Sequence, residues 1–246
     1  LVNQESGYVE SFNLDPVLAK AGGLSIIELL ANGKSLPELG TKIALAEIKL
    51  EAPIPHPRRN IFCAGKNYLD HVKEVAKSGL GSGPTSGSEA PAAPIIFTKV
   101  PESVIGNGEP ILRHVNVTEQ LDYEAELAVI IGVGGRGISR EDAMKHVWGY
   151  TIVNDISARD LQKRHQQWHL AKSLDSFCPM GPWMVSKDEI DVNSTIIKCW
   201  VNSELRQNAS TDQFIFDIPE LIATISAGIT LYPGDIIATG TPSGVG

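Results

Sequence analysis

The chain has 246 residues, 42% hydrophobic and 20% charged, with a formal net charge of −8. This is the balance of a globular enzyme, and an acidic chain without a basic run does not offer a nucleic-acid surface. No apolar run approaches membrane-spanning length and no signal peptide opens the chain, so a cytoplasmic protein without membrane partners is expected.

Residues 1–55 read as a small N-terminal domain and 56–246 as a catalytic domain. Asp15-Pro16 opens a short helix to residue 21, closed by Gly22-Gly23, and a second helix over 25–30 stops at Asn32-Gly33. Residues 43–50 alternate like a strand, and Pro53, Pro55 and Pro57 make an extended linker. A strand over 60–64 precedes a loop and helix around 67–77. Residues 78–94, rich in Gly, Ser, Ala and Pro, are expected to form a mobile surface loop, with a lid as its functional version. Strands resume at 95–98, and two helices are expected at 140–146 and 158–169. Many short strands with few helices and no internal repeat indicate an α+β fold. Cys63, Cys178 and Cys199 lack any C-x-x-C spacing and are expected as buried, reduced thiols. The absence of an initial Met and the Gly-rich last residues suggest trimmed termini.

The stretch 121–131, Leu-Asp-Tyr-Glu-Ala-Glu-Leu-Ala-Val-Ile-Ile, reads as a strand entering a core. Residues two apart share a strand face, so Glu124 and Glu126 lie side by side next to Ala128 and Ile130. Either the strand has one wet face, or the pair is neutralised by a proton or a cation. An oxygen-only site suits Mg²⁺ or Mn²⁺. Asp155 falls between a strand over 148–153 and a helix start at which Ser157 and Asp160 resemble a capping box. It is a turn residue or the third carboxylate of that site. His71 and Glu74, three apart on a helix beside the flexible loop, are either an exposed pair or a base for activating water. Gly132-Val-Gly-Gly-Arg-Gly137 matches a dinucleotide fingerprint in spacing, but a strand carrying two Glu is a poor central parallel strand, and a tight turn is expected. His165 and His169, without a following Glu, are expected on an exposed helix face.

Five stretches together resemble the fumarylacetoacetate hydrolase family, in its bacterial-type 2-hydroxyhepta-2,4-diene-1,7-dioate isomerase and acylpyruvase-like members. They are Asn60-Ile-Phe-Cys-Ala-Gly-Lys-Asn-Tyr-Leu-Asp-His71, Asp122-Tyr-Glu-Ala-Glu-Leu127, Asn154-Asp-Ile-Ser-Ala-Arg-Asp160, Lys172-Ser-Leu-Asp-Ser-Phe-Cys-Pro-Met-Gly181 and Gly234-Asp-Ile-Ile-Ala-Thr-Gly-Thr-Pro-Ser-Gly-Val-Gly246. The resemblance implies a mixed β-roll with several sheets and few short helices, a small N-terminal domain, a homodimer and Mg²⁺ or Mn²⁺. It implies Glu124, Glu126 and Asp155 as metal ligands and His71 with Glu74 as a water-activating lid dyad. Lys172 falls on a lysine that steadies developing negative charge, Arg159 and Gln162 on positions near substrate, and Thr241 in a loop that holds its carboxylate. Family members continue into further strands after the last Gly-rich loop, which are absent here.

The activity expected first is a Mg²⁺-dependent hydrolase cleaving a C–C bond in an acylpyruvate or β-diketo 2-oxo acid, with the metal as Lewis acid for an enolate. The alternative is an isomerase or decarboxylase of 2-oxo dicarboxylic acids, hydroxymuconate-type or oxaloacetate, because all these reactions share the enolate. A metal-stabilised binding protein is a third reading, disfavoured by intact Lys172 and His71.

Overall fold

The structure, a computed structural model, describes residues 1–3, 5–79 and 87–246. Near the N-terminus β1 (Val2–Asn3), β2 (Tyr8–Phe12) and β3 (Leu39–Ala44) form an antiparallel sheet with no buried residue. Between β2 and β3 come α1 (Pro16–Ala19) and α2 (Gly23–Ala31). Asp15 caps α1 by accepting the Val17 N–H at 2.9 Å, and Pro16 occupies the first turn, where no donor is needed. This part is tied to the rest through α2, whose Leu24 and Ile27 pack with Ile54 and Ile61. The strand expected at 43–50 lies earlier, because Leu45–Glu47, a run of good helix formers, closes into a 3-10 turn.

The main sheet takes β4 (Ile61–Gly65), β5 (Ile95–Lys99), β8 (Ala125–Ile131), β9 (Val147–Asn154), β12 (Val185–Ser186) and β15 (Ile236–Ala238) in the order β12-β9-β8-β15-β4-β5. Within this sheet, among the described residues, β15 and β4 pair in parallel and the other neighbours are antiparallel. Small pairs β6 (Val104–Ile105) with β11 (Cys178–Pro179), and β7 (Leu121–Asp122) with β10 (Ser157–Ala158), flank it. The hairpin of β13 (Ile196–Val201) and β14 (Glu204–Ser210) completes the strands. Helices α3 (Leu69–Ser78), α4 (Arg159–His165), α5 (His169–Lys172) and α6 (Ile218–Ser226) are short.

All seven residues of β8 are buried. Leu127, Val129 and Ile131 face Leu221, Ile222 and Ile225 of α6, while Ala128 and Ile130 face Leu24 and Ile27 of α2. A central strand covered on both sides reads as a continuous apolar run. The mixed architecture of several sheets and few helices is the α+β fold expected. Among the described residues no helix is long and apolar enough to cross a membrane.

Several local expectations are corrected. The strand over 121–131 is broken, because β7 leaves the ladder for β10 and Tyr123-Glu124 lies between β7 and β8. The helix over 140–146 is one 3-10 turn, Ala143–Lys145, although Ser139 Oγ accepts the Asp142 N–H at 3.2 Å as a helix N-cap would. The helix over 158–169 is split by Gln166, at φ +60°. No helix follows the glycine run: Gly135 bridges Leu231 and Gly137 turns at φ +66°. His165 and His169, exposed as expected, fall on different helices. Of the loop over 78–94, residues 80–86 lie outside the described residues, and 87–94 is mostly exposed irregular chain.

Candidate metal centre and cleft

Register brings the three carboxylates together. On β8 and β9 Ala125 stands opposite Asn154 and Glu126 opposite Val153. One step past the ladder the Asp155 N–H donates to Glu124 O at 2.7 Å, and Asn154 Oδ1 accepts the Glu124 N–H at 3.0 Å. Glu124 and Asp155 are therefore cross-strand neighbours, with Glu126 two residues along. One oxygen from each lies within 4.8 Å of the others, and all three side chains are buried. The wet-face alternative for the glutamates is thereby removed.

Two of the three are answered by cations. Lys172 Nζ donates to Glu124 Oε2 at 2.8 Å and Asp155 Oδ2 at 2.7 Å. Lys99, fully buried at the end of β5, donates to Asp155 Oδ1 at 2.5 Å, to Ile156 O at 3.2 Å and to the Lys172 carbonyl. Arg159, at the start of α4, donates from Nε to Asp122 Oδ2 at 2.7 Å and from Nη1 to Glu124 Oε1 at 2.6 Å and Gln162 Oε1 at 3.0 Å. Burial pushes the Glu124 carboxyl up, but Lys172 and Arg159 outweigh it and hold it below the usual range. Burial likewise opposes the Lys172 ammonium, yet Asp155 and Glu124 raise its pKa.

Glu126 differs. Among the described residues it accepts one hydrogen bond, from the Gly240 N–H at 2.8 Å, and meets no cationic side chain. Burial, then the charges of Asp155 and Glu124, push its carboxyl well above the usual carboxylate range. The cluster thus lacks one cation, on the side of Glu126. Its donors are hard oxygens, the chemistry that suits Mg²⁺ or Mn²⁺, so the residues fit such an ion.

His71 and Glu74 sit one turn apart on α3, with Nδ1 and Oε2 3.2 Å apart. His71 is buried, which excludes an exposed surface pair. Glu74 Oε1 also accepts the Gly244 N–H at 2.9 Å. Burial raises the Glu74 carboxyl, but the hydrogen bonds from His71 and Gly244 together bring it below its ordinary 4.5. With Glu74 accepting from Nδ1–H, the basic nitrogen of His71 is Nε2, a tautomer inferred from the partner.

Of the site residues expected from sequence, His71, Glu124, Glu126, Arg159, Gln162, Lys172 and Thr241 line one small cleft. Asp155 lies behind this lining, held by both lysines, and Glu74 stands behind His71. Thr241 follows Gly240, whose φ of +97° and 2.7 Å approach of a would-be β-carbon to Asn67 Cβ require glycine. The Thr241 hydroxyl donates to Ala125 O at 3.0 Å and accepts from Gln207 Nε2 at 2.7 Å. The capping box does not form: Ser157 Oγ donates to Glu124 and to Asp155 O, and Asp160 accepts from Thr118 and the Glu119 N–H. Cys63 and Cys178 are buried and Cys199 half-buried, all free; burial pushes the Cys178 thiol up to about 12.

Sequence reasoning assigned no role to Lys99, Asp122, Lys66 or Trp168. Lys99 had a signal: it ends the largely apolar strand Ile95–Lys99, where a buried lysine demands an anion. Trp168 had none, since its place over Gly65, where any β-carbon would collide with the indole, comes from the tertiary fold.

The fumarylacetoacetate (FAA) hydrolase C-terminal family profile matches residues 60–246. The chain is 55% identical over 213 residues to oxaloacetate tautomerase YisK of Bacillus subtilis, covering 85% of this chain and 67% of that protein. It is 44% identical over 207 residues to mitochondrial oxaloacetate tautomerase fahd2 of Xenopus laevis, covering 83% and 61%. The fumarylacetoacetate hydrolase of Exiguobacterium antarcticum superposes with a TM-score of 0.76 at 41% identity, over 96% of this chain and 81% of that one. Maleylpyruvate hydrolase of Sphingobium sp. SYK-6, solved with manganese(II) and pyruvate, gives 0.68 at 36% identity, over 90% and 71%. A match over three quarters of its length, joined to this fold, makes the chain an enzyme of the fumarylacetoacetate hydrolase family.

Proposed function

We propose that this enzyme moves a proton on a 2-oxo dicarboxylic acid, as a tautomerase of the oxaloacetate class. Glu124, Glu126 and Asp155 would hold Mg²⁺ or Mn²⁺. The observation that carries the reading is a buried carboxylate trio short of one cation, facing a buried imidazole across a small cleft. The two tautomerase relatives support this choice over C–C hydrolysis.

A bound divalent ion supplies a Lewis acid for the 2-oxo group. In enolisation a proton leaves the carbon beside the 2-oxo group and one arrives on its oxygen; no bond between heavy atoms breaks. His71, with Nδ1 held by Glu74, takes the proton at Nε2. The Lys172 ammonium places positive charge where the oxygen becomes negative. Arg159 fixes Glu124 and orients Gln162. Phe97 and Trp168 exclude water from one wall. The test is decay of the oxaloacetate enol absorbance with Mg²⁺, with Mn²⁺ and with chelator; a rate equal to the uncatalysed one in all three overturns the reading.

A second reading, hydrolysis of an acylpyruvate, is favoured by the same His71–Glu74 pair, since a base of this kind also deprotonates water. Release of pyruvate from acylpyruvates at a rate above that of enol decay would reverse the order of the two. Decarboxylation uses the same residues and appears as CO₂ in the first assay.

The reading includes a cytoplasmic homodimer. Trp200 and Leu205, paired across β13 and β14 and both exposed, offer apolar surface to a second copy. Light scattering at twice the chain's 26.5 kDa is expected, and a monomer overturns it.

A further inference from the structure

One buried lysine in the cleft meets no counter-charge among the described residues. Lys66 follows β4 in the turn Gly65-Lys66-Asn67, at a φ of +55° that a side chain disfavours. The turn is held by its neighbour: Asn67 Nδ2 donates to Phe216 O at 2.9 Å and Thr239 O at 2.8 Å, and its Oδ1 accepts the Phe216 N–H at 2.7 Å. Lys66 is 6% exposed and lines the cleft with Glu126, and its ammonium has no hydrogen-bond partner among the described residues. Lys99, Lys172 and Arg159, by contrast, all meet carboxylates.

Charge balance points the same way. With every group ionised, the four carboxylates of the buried cluster (Asp122, Glu124, Glu126, Asp155) face those three cations and leave one net negative charge. A divalent ion turns this into one positive charge, and Lys66 makes it two. A ligand matching that field is a dianion.

We infer that Lys66 determines specificity by pairing with the second, distal carboxylate of a 2-oxo dicarboxylic acid. The inference rests on the proposed reading of the site and assigns the group that separates dicarboxylic from monocarboxylic 2-oxo acids. Arg159 Nη2 also lacks a hydrogen bond, but it lies 2.6 Å from Asp122 Oδ2 and the guanidinium is bound by Asp122 and Glu124, so its charge is already met.

The test is calorimetry on the Mn²⁺-loaded protein with oxaloacetate and with 2-oxobutyrate, which has the same carbon chain length without the second carboxylate. Wild type is expected to bind the dicarboxylate at least about 30-fold more tightly. Lys66→Met brings that ratio close to one, Lys66→Arg retains most of it, and oxalate, which needs only the ion, binds all three alike. A wild-type ratio near one overturns the inference whether or not the variants fold; so does a Lys66→Met protein that keeps the preference. Enol decay is measured in parallel. No turnover with an intact preference sinks the tautomerase reading and leaves Lys66 its role, whereas turnover with no preference does the reverse.

Discussion

The inner wall of the cleft and its open side treat charge in opposite ways. On the inner wall Lys99, Lys172 and Arg159 meet Asp155, Glu124 and Asp122 at 2.5–2.8 Å, so the charges there are matched within the chain itself. On the open side Glu126 meets no cation and Lys66 meets no acceptor among the described residues. Buried charges without partners cost more than buried pairs, so a fold selected for stability alone would have paired or removed them. The paired wall is a scaffold that holds Glu124, Asp155 and Lys172 ready for a ligand, and the unpaired groups are the places where a ligand's charge is still missing.

The sharpest way to break that contrast is Glu126→Gln. It is expected to weaken Mn²⁺ binding by more than the roughly 100-fold that loss of an outer-shell partner costs. The melting temperature of the metal-free protein should stay the same or rise, since a buried charge conflict is removed. A large fall in melting temperature with metal affinity intact would place Glu126 on the scaffold side. His71→Asn comes next: kcat should drop by about 10²–10⁴-fold while oxalate still binds the metal-loaded protein. Full activity would show that the proton is moved elsewhere.

Lys99→Met probes the other wall. With one of the two cations on Asp155 removed, urea denaturation should report a loss of about 3 kcal/mol. A protein as stable as wild type would mean that the inner pairs contribute nothing. The smallest effect is on pH dependence. The Glu74 pKa is depressed in the folded chain, so its contribution to stability is complete above the ordinary 4.5 and is lost as pH falls through the lower folded value. Glu74→Gln should lower stability slightly at neutral pH and flatten the acid limb, so that variant and wild type converge towards pH 3, as read by thermal melts from pH 3 to 7.

Much of this was legible in the chain because it was local. The i,i+2 spacing put Glu124 and Glu126 on one strand face, and the i,i+3 spacing paired His71 with Glu74. Pro16 and Asp15 marked a helix start that formed. Asp155 was different: spacing placed it at a strand end, but only the β8–β9 register set it opposite Glu124. The family resemblance supplied that link in advance. Lys99 and Trp168 went unassigned because their partners are separated from them by 56 and roughly 100 residues of chain, distances at which sequence patterns carry no contact information. The expected capping box failed because Ser157 and Asp160 are held by other segments, Ser157 by Glu124 and Asp160 by Thr118, and a side chain in contact with a neighbouring segment is lost to its own helix.

The position of β15 has a consequence for how the chain comes off the ribosome. This strand lies between β8 and β4 in the middle of the six-stranded sheet, yet it follows both in the chain, and it pairs in parallel with one synthesised more than 170 residues earlier. Until it emerges, β4 and β8 each present a bare, apolar edge to the cell, open to pairing with other nascent chains. The segment that follows it also brings Gly240 to Glu126 and Gly244 to Glu74. A chain that has not yet reached β15 is therefore at once sticky and catalytically mute, and chaperone demand should peak just before this strand emerges.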